Sequence, residues 1–222
     1  MKRLLSVLAL TLISGSAAFA DPEVKGWNTN DSMGCMMLRE CTDHVKEVTS
    51  IKDIKRAYPD SDYSVIGPEF NDIVSSLNEV GVKVFLGNSK YFPRTNRGIY
   101  HTVGNNFFLN AAYMSRPHTL MSVTRHEAWH AVQDCMAGTI DNSFIAIVKP
   151  EEEVPYYWKE IAERTYPKSA VAWEQEAKWA GSTEGMTRDA LKACAKGNMW
   201  EHPLYDPTPM TEEWLVENGF IK

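Results

Sequence analysis

The stretch that decides the fold is PHTLMSVTRHEAWHAVQDCMA, residues 117–137. Pro117 suits the first turn of a helix, and apolar residues recur through the stretch at helical spacing. The letters HEAWH, from His126 to His130, lie at its centre. Because residues four apart lie one above the other on a helix, both imidazoles would project from the same side. The sequence therefore predicts a long central helix on which two histidines can bind one metal ion.

Glu127 follows the first of these histidines and lies about a quarter turn further round the helix. A glutamate at this position can hold and deprotonate a water molecule that the metal carries. The helix is too apolar to be solvated on all sides, which argues against a surface helix that carries two histidines by chance. We therefore expect His126 and His130 to bind zinc, with Glu127 as the general base.

A catalytic zinc ion needs a third protein ligand and an open fourth position. The metzincin arrangement has a histidine six residues after the second one, but Met136 occupies that position here. Asp141, at the end of the letters GTID, resembles the aspartate ligand of aspzincins. It follows His130 too closely, however, and the Tyr-Gly continuation is missing. A glutamate on a later helix is the third option.

Residues 170–180 read AVAWEQEAKWA, which resembles the Glu-x-x-Ala segment that supplies the third zinc ligand in gluzincin-like families. The resemblance implies Glu174 as the ligand, and Glu176 is the competing candidate. Those families usually carry Asp or Asn four residues after the ligand. Here that position is Lys178 after Glu174 and Ala180 after Glu176, so the choice between the two glutamates stays open, with Glu174 preferred.

About a quarter of the chain, from the end of the predicted hairpin through Ala180, thus resembles a gluzincin-like HExxH zinc metallopeptidase, and the specific part of this resemblance is the HExxH motif. The resemblance implies an enzyme that hydrolyses peptide bonds of a peptide or protein substrate, using a water molecule activated by zinc and Glu127. The alternative is an inactive exported domain that keeps the scaffold for binding or inhibition. Stabilisation of the oxyanion would need a second donor, for which the candidates are Tyr156, Tyr157, Tyr166 and His202.

The pattern of apolar residues predicts an α+β fold. The predicted helices cover residues 36–48, 51–58, 68–80, 117–137, 155–166, 168–180 and 187–195, and the predicted strands cover 82–86, 98–103, 107–111 and 144–148. We expect a zincin-like arrangement in which an α/β part, about 51–137, contributes a small mixed or antiparallel sheet packed on the HEAWH helix. A mainly helical part, about 155–196, follows. The strand at 98–103 could bind an extended peptide along its edge.

The first twenty residues carry the pattern of a secretory signal peptide. A basic start precedes an apolar run, residues 4–13, and the small-x-small letters AFA follow at 18–20. The run is too short to span a bilayer comfortably. We therefore expect residues 1–20 to be removed, and residues 21–222 to form one exported domain that is periplasmic or secreted.

The chain is acidic, with a formal net charge of −6, and loss of Lys2 and Arg3 with the signal peptide would change this charge to −8. Proteins that bind nucleic acids need basic patches to neutralise phosphates, and anionic membranes attract basic segments. We therefore expect neither nucleic-acid binding nor stable association with a membrane. The sequence carries no signal for an oligomeric state.

Four cysteines are present, Cys35, Cys41, Cys135 and Cys194. An even number in an exported chain predicts two disulfides. The first two are close enough in sequence to close a local loop, which would leave Cys135 to pair with Cys194. The alternative joins the N-terminal segment to the core through one of the last two. No CxxC pair is present, which argues against a cysteine metal cluster.

Overall fold

The computed structural model describes residues 29–93, 95–137 and 145–197. The helices are α1 (Thr29–Met37), α2 (Ile51–Ala57), α3 (Gly67–Glu79), α4 (Pro117–Met136), α5 (Tyr156–Thr165), α6 (Val171–Ser182) and α7 (Met186–Ala195), and the strands are β1 (Lys46–Glu47), β2 (Lys83–Gly87), β3 (Gly98–His101) and β4 (Asn106–Asn110). The predicted signal peptide and the candidates Asp141 and His202 lie outside the described residues.

The described strands form one mixed sheet in the order β1-β2-β4-β3. Strands β2 and β4 are parallel, whereas β1 pairs with β2 and β3 pairs with β4 in the antiparallel direction. A turn through Asn105, which has a positive φ of 49°, joins β3 to β4. The predicted hairpin is therefore present, and β3 lies at an edge of the sheet as expected.

Both faces of the two central strands are buried, which explains why their sequences are continuously apolar rather than alternating. On one face, Val84 and Phe107 join the main core formed with α3 and α4. On the other face, Phe85 and Phe108 lie opposite each other in register and stack with ring centroids 5.3 Å apart. Met36, at the end of α1, covers this second face. The sheet is thus the middle layer between two helical layers.

The long helix α4 lies at the centre of the main core. Pro117 occupies its first turn, where a missing N–H costs no hydrogen bond. Trp129 is fully buried, as expected for an anchor of the core. The disulfide between Cys135 and Cys194 ties the last turn of α4 to the last turn of α7. Helices α6 and α7 pack directly on the helix that carries HEAWH, and α5 packs on α6.

The coarse predictions are confirmed: the fold is α+β, its small sheet is mixed, and the second half of the described chain is mainly helical. Both predicted disulfides are present, Cys35 with Cys41 and Cys135 with Cys194. They indicate an oxidising compartment. Among the described residues, no helix is both long and apolar enough to cross a membrane.

Two predicted elements are wrong. The helix predicted over 36–48 is replaced by a turn and by β1, because the Cys35–Cys41 disulfide closes the chain just after α1 ends. Arg39 and His44 adopt positive φ angles of 62° and 55°, which no α-helix accommodates. The strand predicted over 144–148 is also wrong, since the described residues 145–148 pair with no strand.

Candidate metal centre

Three predicted ligands lie together at the base of a cleft. Nε2 of His126 is 3.2 Å from one carboxylate oxygen of Glu174, and Nε2 of His130 is 3.8 Å from the other. The three ligand atoms all lie within 4.8 Å of one another. Ligands about 2.0–2.1 Å from a tetrahedral zinc ion would be about 3.3 Å apart. The separations therefore fit one zinc ion with a small adjustment of the side chains.

Gln133 fixes the orientation of the second histidine. Its Nε2 donates to the carbonyl of Trp173, 3.2 Å away, and to Glu176, 2.8 Å away, so its Oε1 faces Nδ1 of His130 at 2.8 Å. Nδ1 must therefore donate its proton to Gln133, which leaves the lone pair on Nε2 directed at the ligand cluster. Outer-shell partners of this kind set the tautomer and ring orientation of histidine ligands.

The electrostatics of the cluster also suit a cation. Burial alone would raise the pKa of Glu174, but its interactions with His126 and His130 lower the pKa to about 2. Burial lowers the pKa of His130 to about 4. Oε2 of Glu174 is buried and faces Nε2 of His126. An ionised carboxylate and a neutral imidazole are the protonation states that metal binding needs.

Glu176, the competing candidate, points away from the cluster. Its carboxylate accepts hydrogen bonds from Nε1 of Trp129 at 3.2 Å, from Gln133, and from the backbone amides of Val148 and Lys149 at 3.2 and 2.6 Å. Burial raises its pKa to about 7, and these four donors act in the opposite direction. Glu176 therefore joins α4, α6 and the 148–149 segment, and the geometry favours Glu174 as the third ligand.

Glu127 is buried between α4 and the edge strand β3. Burial raises its pKa to about 7, which is near the value that suits a group that both accepts and donates a proton. The hydroxyl of Tyr100 on β3 donates to Asp134 on α4 at 2.7 Å and so holds the strand against the helix. A Cβ on Gly98 would lie 2.7 Å from Cγ of Glu127 and 2.6 Å from Val123. Only a glycine allows the strand to approach Glu127 this closely.

A second glycine brings the third ligand into reach. Helices α4 and α6 run in opposite directions, since Trp173 at the start of α6 lies near Gln133 and Gly181 near its end lies beside His126. A Cβ on Gly181 would be 3.1 Å from both Cβ of His126 and the carbonyl of Ser122. The missing side chain permits the close packing that places Glu174 beside the histidines.

The cleft in front of the cluster has a volume of about 790 Å³. Residues in and just before the edge strand, among them Arg97 and Gly98, form one wall of the cleft. Residues in and just after α5 and residues of α6, among them Tyr166 and Lys178, form the other wall. Of the proposed oxyanion donors, Tyr166 lines this cleft. Tyr156 and Tyr157 do not line it, and they are 73% and 64% exposed.

Gly98 supports a prediction about stability. Gly98→Ala should lower the free energy of unfolding by about 1–3 kcal/mol, because β3 must move away from Glu127 and Val123 to admit the methyl group. Denaturant titration measures this change. The control is Gly34→Ala in α1, where an added Cβ meets nothing within 4 Å. An unchanged unfolding midpoint in Gly98→Ala would contradict the close contact.

The sequence pattern pointed to the two histidines, to Glu127 and to both glutamates, but it did not predict the residues that orient them. Neither the acceptor role of Glu176 nor the part of Gln133 in orienting His130 was predicted, although Gln133 lies one turn after that histidine on the same face. Comparisons of the chain with known protein families, curated proteins and solved structures found no match. The function proposed next therefore rests on the residues of the site.

Proposed function

We propose that this chain is an exported, zinc-dependent metallopeptidase of gluzincin-like type. The main support for this proposal is that ligand atoms of His126, His130 and Glu174 lie close together, with the buried Glu127 beside them. A site built only to hold a structural metal has four protein ligands and no need of a base. The described residues supply three ligands and a base, and they open onto a cleft large enough for a peptide.

His126, His130 and Glu174 would hold the zinc ion. When bound, zinc supplies a Lewis acid that polarises the scissile carbonyl and promotes ionisation of water. Gln133 keeps the proton of His130 on Nδ1, so that Nε2 stays available as a ligand. The ionised Glu174 contributes one negative charge, which a divalent cation offsets in this buried environment.

Glu127 would act as the proton carrier of the reaction. Its carboxylate accepts a proton from the attacking water, and the resulting carboxylic acid gives that proton to the leaving amine. A pKa raised by burial to about 7 makes the carboxylate a stronger base than an exposed glutamate, and it lets the acid form persist until the amine leaves. The rigid contact with β3 fixes the position of this carboxylate.

The edge strand β3 would position the substrate. One side of β3 pairs with β4, and its residues 98–100 line the cleft. An extended peptide laid along this edge can form backbone hydrogen bonds with it, which places a peptide bond of the substrate above the metal ligands. Recognition through the backbone tolerates many side chains, so we expect the substrate to be an unfolded protein or a peptide.

Tyr166 is the best-placed donor for the oxyanion that develops on the scissile carbonyl. It lines the cleft, and burial followed by the charge of Glu174 raises the pKa of its hydroxyl, so the phenol stays protonated. A protonated phenol in a partly dry site can donate a hydrogen bond to a developing oxyanion. The two exposed tyrosines of α5 do not line the cleft.

Removal of the metal tests the proposal. We expect the zinc-loaded chain to hydrolyse casein, which is largely unfolded, and we expect 1,10-phenanthroline to reduce this hydrolysis to background. Added zinc should restore the activity, whereas Mg²⁺ should not, because imidazole ligands suit zinc and Mg²⁺ prefers oxygen ligands. A chain that binds zinc but leaves casein and short peptides intact would favour the alternative of a non-enzymatic binding domain.

A further inference from the structure

Two basic side chains line the cleft of this acidic protein. Arg97 immediately precedes the edge strand β3, and Lys178 lies on α6, one helical turn after Glu174. The remaining charged groups among the described residues of the lining are Glu127 and Glu174. The chain as a whole has a formal charge of −6, whereas the two basic and two acidic groups of the lining balance each other.

Each of the two cations lies over an aromatic ring. Nζ of Lys178 lies 5.0 Å from the ring centroid of Tyr166, and the guanidinium of Arg97 lies 5.5 Å from the ring centroid of Tyr113. A cation–π contact orients a cation but does not cancel its charge. Among the residues that the structure describes, neither cation forms an ion pair with a carboxylate. Both side chains can therefore bind an anion.

Metal binding would give the lining of the cleft a net positive charge. Without a metal, the two basic and two acidic groups of the lining cancel, and a divalent cation held by Glu174 leaves an excess of two positive charges. Lys178 interacts electrostatically with Glu127, with Glu174 and with Arg97, so the two cations face the same part of the cleft from its two walls. An anionic group bound there would lie next to the bond that is cleaved.

We propose that Arg97 and Lys178 form a carboxylate-binding subsite that selects peptides with a carboxylate next to the scissile bond. This inference rests on the proposed peptidase function. The carboxylate can be the C-terminal group of the substrate or the side chain of an aspartate or glutamate, since both present the same two oxygens. Arginine can bind a carboxylate through two parallel hydrogen bonds, and lysine adds a point charge. The subsite makes the enzyme selective rather than a general protease.

Peptide binding measured without turnover tests the subsite. The background is zinc-loaded Glu127→Gln, in which peptides should stay intact. The probes are an alanine-rich hexapeptide with a free C-terminus, the same peptide with a C-terminal amide, and two amidated peptides that differ only in one internal glutamate or glutamine. We expect at least one acidic peptide to bind about tenfold more tightly than its neutral partner in calorimetric titrations.

Substitutions of Arg97 and Lys178 test whether these two cations cause the preference for acidic peptides. Lys178→Met and Arg97→Met should each remove most of the preference, whereas Lys178→Arg should keep it. Lys52→Met, which changes an exposed lysine outside the cleft, is the matched control and should behave as the parent. A preference only for the free C-terminus would indicate a carboxypeptidase, and a preference only for the internal glutamate would indicate cleavage beside acidic residues.

Two results would overturn the subsite: equal binding of the acidic and neutral peptides, or a preference that is unchanged in both methionine variants. Failure of the proposed function is a separate outcome. Casein that stays intact with zinc-loaded wild-type protein would refute the peptidase, while a carboxylate preference that depends on Lys178 would still establish the subsite.

Discussion

Glu127→Gln is expected to reduce turnover by about 10²–10⁴-fold, because the amide cannot accept a proton from the attacking water. The substitution keeps the size and shape of the side chain, and Glu127 is not one of the three clustered ligands, so the variant should still bind one zinc ion per chain. Steady-state hydrolysis of casein gives the rate, and atomic absorption gives the zinc content of the same sample.

The matched control for this experiment is Glu79→Gln, which makes the same chemical change at an exposed position on α3. It should leave both the rate and the zinc content unchanged. Full activity in Glu127→Gln would contradict the proposed mechanism. Loss of zinc together with activity would mean that Glu127 has a role in forming the metal site rather than in proton transfer.

Substitution of Glu174 should mainly weaken zinc binding, whereas substitution of Glu176 should mainly destabilise the fold. Glu174→Gln is expected to weaken zinc binding by more than the roughly 10–100-fold that loss of an outer-shell partner costs, because a direct ligand is removed. The variant should keep its fold without zinc, since Gln can still form hydrogen bonds with the cleft side chains that contact Glu174, which are His126, His130 and Tyr166. Competition with a zinc-binding dye measures the affinity, and circular dichroism measures the fold.

Glu176→Gln should instead destabilise the protein by about 1–3 kcal/mol, because its new amide group must face one of four N–H donors. At a temperature at which both variants are folded, the zinc affinity of Glu176→Gln should fall less than that of Glu174→Gln, since the three proposed ligands remain. Thermal unfolding monitored by circular dichroism compares the two variants. Loss of zinc in Glu176→Gln with retention in Glu174→Gln would reverse the ligand assignment.

The HEAWH helix could be predicted because its signals are local. Histidine spacing, a proline in the first turn and a long apolar pattern all lie within residues 117–137. The same holds for the hairpin at 98–110, where a turn with glycine and asparagine separates two apolar runs. In both cases the hydrogen bonds that form the element connect residues close in sequence, so the local sequence is enough to predict the element.

The orientation of α6 could not be predicted in this way. Glu174 and Glu176 are two residues apart, so they project from nearly opposite sides of the helix. Apolar residues surround both of them in AVAWEQEAKWA, and the helix is buried on more than one side. Packing decides which side meets the histidines, through the close approach of Gly181 to His126. Such a contact joins residues 55 positions apart and leaves no periodic signal.

The N-terminal error has a similar origin. The apolar residues between 36 and 48 recur at roughly helical spacing, but they do not form one face of a helix. Met36 and Cys41 cover the second face of the sheet, and the Cys35–Cys41 disulfide forces the chain to turn between them. A covalent constraint of this kind overrides the local preference of the residues it encloses.

The most direct test of the central claim is a crystal structure of the zinc-loaded protein with diffraction recorded on both sides of the zinc absorption edge. We predict one anomalous difference peak in the cleft, about 2.0–2.2 Å from Nε2 of His126, Nε2 of His130 and a carboxylate oxygen of Glu174. A peak ligated by Glu176, a peak at another place in the molecule, or no peak in fully loaded crystals would contradict the account.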